Sequence, residues 1–83
     1  MLTGAQIRSA RAAVGWSAQE LADRAGVSMK TVMRLESANG VPPSRSDTLN
    51  EIQVALESAG IEFIGSPTDG PGIRIRSPST RGE

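Results

Sequence analysis

The sequence has no cysteine and no histidine, and it has no tyrosine. Without cysteine there are no disulfides and no thiolate metal sites, and without histidine the commonest general base and metal ligand is missing too. The carboxylates are spread along separate segments without a paired acid/base arrangement, so no catalytic residue and no metal ligand is assigned. Aromatic residues are nearly absent, with one tryptophan, Trp16, and one phenylalanine, Phe63. A core built from Ala, Ile, Leu and Val then favours helices packed closely through small side chains. Long apolar runs are lacking as well. No stretch suffices to span a membrane, and residues 1–14 do not read as a signal peptide, so a cytoplasmic location is expected. The net charge is zero, which argues against an indiscriminate binder of polyanions.

What is present fits one small domain of 83 residues. Charge is unevenly distributed. Residues 1–40 carry Arg8, Arg11, Arg24, Lys30 and Arg34 against Glu20, Asp23 and Glu36, whereas residues 41–60 carry Asp47, Glu51 and Glu57 against Arg45. One basic face on a neutral molecule suits a sequence reader of modest non-specific affinity.

Three helix starts share one local logic. Thr3 and Gln6 have capping-box spacing with Leu2 and Ile7 as a hydrophobic staple. Ser17 and Glu20 repeat the box with Trp16 and Leu21 as the staple, and Val27 and Val32 bracket Ser28 in the same way. Helix 1 is predicted from about Thr3 to Val14, burying Ile7, Ala10 and Val14 and stopping at Gly15. The next two helices meet at Gly26, where a turn with positive φ needs glycine. Leu21, Ala22 and Ala25 give one an apolar face, and Val32 with Leu35 gives the other its inward pair. Ala22 is small enough for the two to cross closely. This is the layout of a helix-turn-helix. Asn39, Gly40 and two prolines then make a loop before a fourth helix from about Ser46, with Leu49, Ile52, Leu56 and Ala59 inward and Gly60 as its stop.

The run Leu21-Ala22-Asp23-Arg24-Ala25-Gly26-Val27-Ser28, closed by Leu35-Glu36, resembles the lambda-repressor-like family of prokaryotic and phage regulators (Cro-type, or xenobiotic-response-element type). The resemblance covers about residues 2–60. It implies a mostly α, four-helix DNA-binding domain whose third helix enters the major groove of double-stranded DNA. Carried over position by position, Met29, Lys30 and Arg34 fall where family members touch bases, with Met33 and Thr31 flanking them. Arg34 has the fork that fits guanine O6 and N7; Lys30 could do the same or meet a phosphate. Met29 and Met33 either pack on thymine methyl groups or mark an adaptable protein-binding surface. Phosphate contacts are expected from Ser17, Gln19, Ser28, Thr31 and Ser37, mainly at helix N-termini. The family often has Gln directly after the cap of its second helix, where this chain has Ala18. Arg45 lies roughly where some members reach the minor groove. Arg8 reads as a backbone contact or a solvated cation. Arg11 and Glu36 match a pair that forms a salt bridge in some members.

After Gly60 the pattern departs from the family, many of whose members continue with a fifth helix. Residues 61–64 and 73–76 are short and β-branched, separated by the breaker-rich segment 65–72, and predict a pair of strands joined by a long loop. The segment lacks the Gly-Lys-Ser/Thr ending of a phosphate loop. Ile61, Phe63, Ile64, Ile73 and Ile75, with the outward Val54 of the fourth helix, supply more apolar surface than a free hairpin hides. Pairing between two chains would make residues 61–76 a dimerisation element; the alternative is a hairpin folded on its own helices. Residues 77–83 read as a disordered tail. The expected function is that of a homodimeric, sequence-specific transcriptional regulator without a cofactor, controlled by its own concentration or by a regulatory protein partner. The rival is a protein-binding module, such as an antitoxin or antiactivator, on the same scaffold.

Overall fold

The computed structural model describes residues 2–38, 40 and 46–76. Arg45, most of the proline-bearing loop and the tail 77–83 lie outside them. The elements run α1 (Gly4–Ala13), α2 (Ala18–Ala25), α3 (Met29–Glu36), α4 (Ser46–Ser58), β1 (Ile61–Ser66) and β2 (Asp69–Ile75).

Local signals set the helix ends. Thr3 Oγ1 accepts the Gln6 amide at 3.1 Å and Gln6 Oε1 accepts the Thr3 amide at 2.9 Å, a complete capping box. The second box is only half formed. Ser17 Oγ accepts the Glu20 amide at 3.0 Å, but the Glu20 carboxylate takes Arg24, one turn on, at 3.1 Å. A charge-assisted fork outcompetes a neutral main-chain amide for that carboxylate, and the Arg24 guanidinium also lies 4.5 Å from the centre of the Trp16 ring. Gly26 closes α2 at φ 73°, ψ 32°, and Ser28 Oγ then accepts the Thr31 amide at 3.1 Å to start α3.

The core joins all four helices: Ile7 and Ala10 from α1, Leu21 and Ala22 from α2, Val32 and Leu35 from α3, and Leu49, Ile52, Ala55 and Leu56 from α4. Ala55 is the small buried residue of α4, and Ala59 is half-buried in the turn beyond its end. Gly4 marks a close approach that periodicity did not signal. Any Cβ there would lie 2.6 Å from the Leu35 carbonyl oxygen, so only glycine lets the start of α1 pass over the end of α3.

The C-terminal strands are longer than expected, and the long loop is a tight hairpin. Antiparallel pairing runs from Ile61 opposite Ile75 to Ser66 opposite Asp69, leaving only Pro67 and Thr68 as the turn. The breakers that suggested a loop build the hairpin instead. The register shifts between Ile64 and Ser66, and Gly65, at φ 77°, fits this bulge where a Cβ would strike the Gly70 carbonyl.

This hairpin lies on its own helices, β2 against α1 and β1 against α4. Ile61 is a correction to the expected interface: at 3% exposure it belongs to the chain's own core, because β1 begins three residues after α4 ends and drops its first side chain beside that helix. Phe63 and Ile73 are half-buried against the same core, and Ile64 is half-buried. Val54 and Ile75 remain exposed. Gln6 joins the two parts: its Nε2 donates to the carbonyls of Ile64, at 3.2 Å, and Gly72, at 2.9 Å, one on each strand at the bulge.

Candidate nucleic-acid interface

Helix α3 has one anchored face and one open face. Val32 and Leu35 are fully buried, which fixes the helix about its long axis. Lys30 and Arg34 are exposed, as are Met29 at 40% and Met33 at 56%, so one surface carries two cations and two flexible apolar side chains. Thr31 is half-buried, its hydroxyl 2.9 Å from that of the cap residue Ser28.

The end of α3 is gripped from α1. Arg11 Nε donates to Glu36 Oε2 at 2.6 Å and Arg11 Nη2 to Glu36 Oε1 at 3.0 Å, a two-pronged pair with side chains only 24% and 10% exposed. The hydrogen bonds to Glu36 hold the Arg11 guanidinium above its usual pKa, against a smaller opposing effect of burial, and the attraction of the carboxylate adds to the rise. Arg11 Nη1 donates to the Trp16 carbonyl at 3.0 Å, one residue before the cap of α2. One side chain therefore ties the end of α3 to the entry of α2. Arg8, one turn earlier on α1, donates to the main-chain carbonyl of Glu36. Arg8, expected as a contact to the DNA backbone or a solvated cation, is engaged within the fold instead; its spacing of three from Arg11, which puts both on one face of α1, is the signal in the sequence.

Between these elements runs an open groove of about 400 Å³, lined by Arg8, Arg11, Ala18, Met33, Glu36 and Ser37. Its wall at Ala18 is the N-terminus of α2, where amides unpaired within the helix point outward. Ser17 is exposed at that cap, and Gln19 is exposed with its Nε2 donating to Asp23 Oδ1 at 2.8 Å. Ser37 is placed differently from the other expected phosphate contacts. It caps the carbonyl-rich end of α3 and its hydroxyl donates to the Arg34 carbonyl at 2.9 Å, an electrostatically poor position for an anion. Ser28 stands at the opposite, amide-rich end.

Among the described residues no cluster of three side chains could hold a metal ion, and no helix is long and apolar enough to cross a membrane.

Two short helices set at a glycine turn, the second presenting a basic outer face, define the helix-turn-helix class. Residues 3–54 match a family model described as a helix-turn-helix domain, and the chain belongs to that family, consistent with its lambda-repressor-like pattern. No curated protein matches the chain. Membership points to a DNA-binding regulator.

Proposed function

We propose that the protein is a cytoplasmic, sequence-specific transcriptional regulator that binds a two-fold operator as a homodimer. Residues 1–60 read the DNA and residues 61–76 serve dimerisation. Helix α3 enters the major groove, with Arg34 and Lys30 on base edges and Met29 and Met33 against thymine methyl groups. Ser17, Gln19, Ser28 and Thr31 stand nearest the outward amides of α2 and α3 and hold phosphates. The observation that carries this reading is the outer face of α3, cationic and exposed while Val32 and Leu35 are fully buried beneath it.

Selection of bound duplexes from a random pool tests it. Enrichment of a two-fold site, bound more weakly as salt rises, is the expected result. Arg34→Ala should then cost about 1–3 kcal/mol and relax preference at one base pair in each half-site. A uniform loss on all sequences would make Arg34 a phosphate contact. Failure to enrich any duplex, with a flat response to salt, would favour the protein-binding alternative, to which the two exposed methionines are also suited.

A further inference from the structure

All the sulfur in this chain is thioether. There are three methionines and no cysteine, so an oxidant meets no thiol, and the sulfur step open to it is the two-electron conversion of methionine to its sulfoxide. Two of the three, Met29 and Met33, are exposed on the outer face of α3; Met1 lies outside the described residues. Exposure governs how fast a thioether is oxidised.

Met29 and Met33 are one turn apart and therefore neighbours on a single surface. Met33 also lines the open groove beside Ala18, which gives a small peroxide free approach. Neither side chain is among the buried core residues or the partly buried ones packed on them. Val32, Leu35 and the Arg11 grip on Glu36 hold α3 in place, so new chemistry at these two sulfurs leaves the fold intact.

We infer that Met29 and Met33 form a methionine-oxidation site through which peroxide weakens DNA recognition. This rests on the DNA-binding reading above. The thioether sulfur attacks one oxygen of hydrogen peroxide, forming an S–O bond as the O–O bond breaks. The departing hydroxide takes the proton of the new S–OH and leaves as water; sulfur loses two electrons and the peroxide gains them. The product is uncharged, with a strong acceptor oxygen and no donor. It loses the apolar contact with thymine methyl groups, and it sets acceptor against acceptor at guanine O6 and N7 or thymine O4. Lys30, one turn before Met33, is drawn toward the same oxygen and away from the bases. Charge is unchanged, so attraction to phosphates persists while discrimination between sequences falls.

The test uses the full chain, a duplex selected from a random pool and an unrelated duplex. Hydrogen peroxide is added until peptide mass mapping shows oxygen on residues 29 and 33. Binding to the selected duplex should fall at least about tenfold, with binding to the unrelated duplex and the melting temperature nearly unchanged. Methionine sulfoxide reductases for both sulfoxide epimers should restore it. Met29→Leu, Met33→Leu and the double variant each have a starting affinity of their own. Peroxide should lower it less in either single variant than in the unaltered protein, and not at all in the double variant, which keeps Met1. The inference is overturned if the oxidised protein binds the selected duplex as before, if both duplexes are lost together with the melting transition, or if the double variant is equally sensitive. An unaltered protein that selects no duplex before treatment overturns the DNA-binding reading itself, and this inference with it.

Discussion

Gln6 should be the most costly single polar position in the molecule. Its side chain amide is fully engaged: Oε1 accepts from Thr3, and Nε2 donates to Ile64 and Gly72, with the residue 5% exposed. Gln6→Met keeps most of the volume and removes all three bonds. An unsatisfied buried polar group costs about 1–3 kcal/mol. Three such losses would approach the whole stability of the chain, about 4–12 kcal/mol for 83 residues. The actual cost should be smaller, because an open cleft of about 170 Å³ between α1 and β2 is lined by Gln6 and Gly72 and would admit water to the Gly72 carbonyl. About 2–3 kcal/mol is therefore expected, which lowers the melting temperature of a domain this size by roughly 8–24 °C. Gln6→Glu should be worse at neutral pH, because a carboxylate would face two carbonyl oxygens. It should recover in part in acid, when the protonated group can donate to one of them. Circular dichroism melts of the three proteins at neutral and acid pH make the comparison. A Gln6→Met protein within about 0.5 kcal/mol of the original would refute the reasoning and leave the hairpin held by apolar contact alone.

Other perturbations have equally specific outcomes. Ala22→Leu adds methylenes at a fully buried position on α2, which packs against α3, and should cost about 1–3 kcal/mol while weakening DNA binding in parallel; retained stability would remove Ala22 from the crossing. Arg11→Lys keeps the charge but loses the two-pronged bond to Glu36 and cannot also reach the Trp16 carbonyl in the same way, so it should behave almost like Arg11→Ala in a melt; full retention by lysine would show that charge alone suffices. Arg76 first and Arg74 second hold the Glu62 carboxyl below its usual pKa. A lowered carboxyl pKa adds stability above the unfolded-state value and loses it as pH falls through the folded one. The small advantage of the unaltered protein over Glu62→Gln should then hold at neutral pH and disappear below about pH 4, and an advantage unchanged in strong acid would contradict the assignment.

The parts of the fold legible in the sequence are those set within a few residues. Thr3 and Gln6, Ser17, Ser28 and Gly26 each act on a neighbouring turn, so the first three helices and the turn between the last two could be read from spacing. Long-range competition was not legible. Glu20 has the right spacing for a box with Ser17, yet Arg24 stands at the right spacing for a salt bridge, and the sequence does not state which the carboxylate prefers. In the segment 65–72 glycine and proline look the same whether they make a loop or a bulged hairpin; the difference lies in the approach of Gly65 to the Gly70 carbonyl. Apolarity marked Ile61 as needing cover without saying that its own α4 supplies it. At the candidate interface, the exposed face of α3 follows from burying Val32 and Leu35, whereas Arg8 donating to a main-chain carbonyl has no residue-type signature at its acceptor.

Helix α1 does more than its burial suggests. Its four buried residues are Gly4, Gln6, Ile7 and Ala10, so it contributes little apolar mass to the core. Its bonds instead reach every element a DNA reader must keep in register. Gly4 admits the end of α3 at backbone distance, Arg8 and Arg11 hold that end through the carbonyl and the carboxylate of the same residue, and Arg11 fixes the chain just before α2. Gln6 ties both strands of the hairpin to the same helix. A shift of α1 would therefore move α3, the N-terminal end of α2 and the hairpin together. If the hairpin sets the spacing between two copies, as proposed, α1 is the rigid link between that spacing and the face of α3 that meets the bases. Loss of Gln6 should then reduce the preference for a full site over a half-site even at temperatures where the domain remains folded.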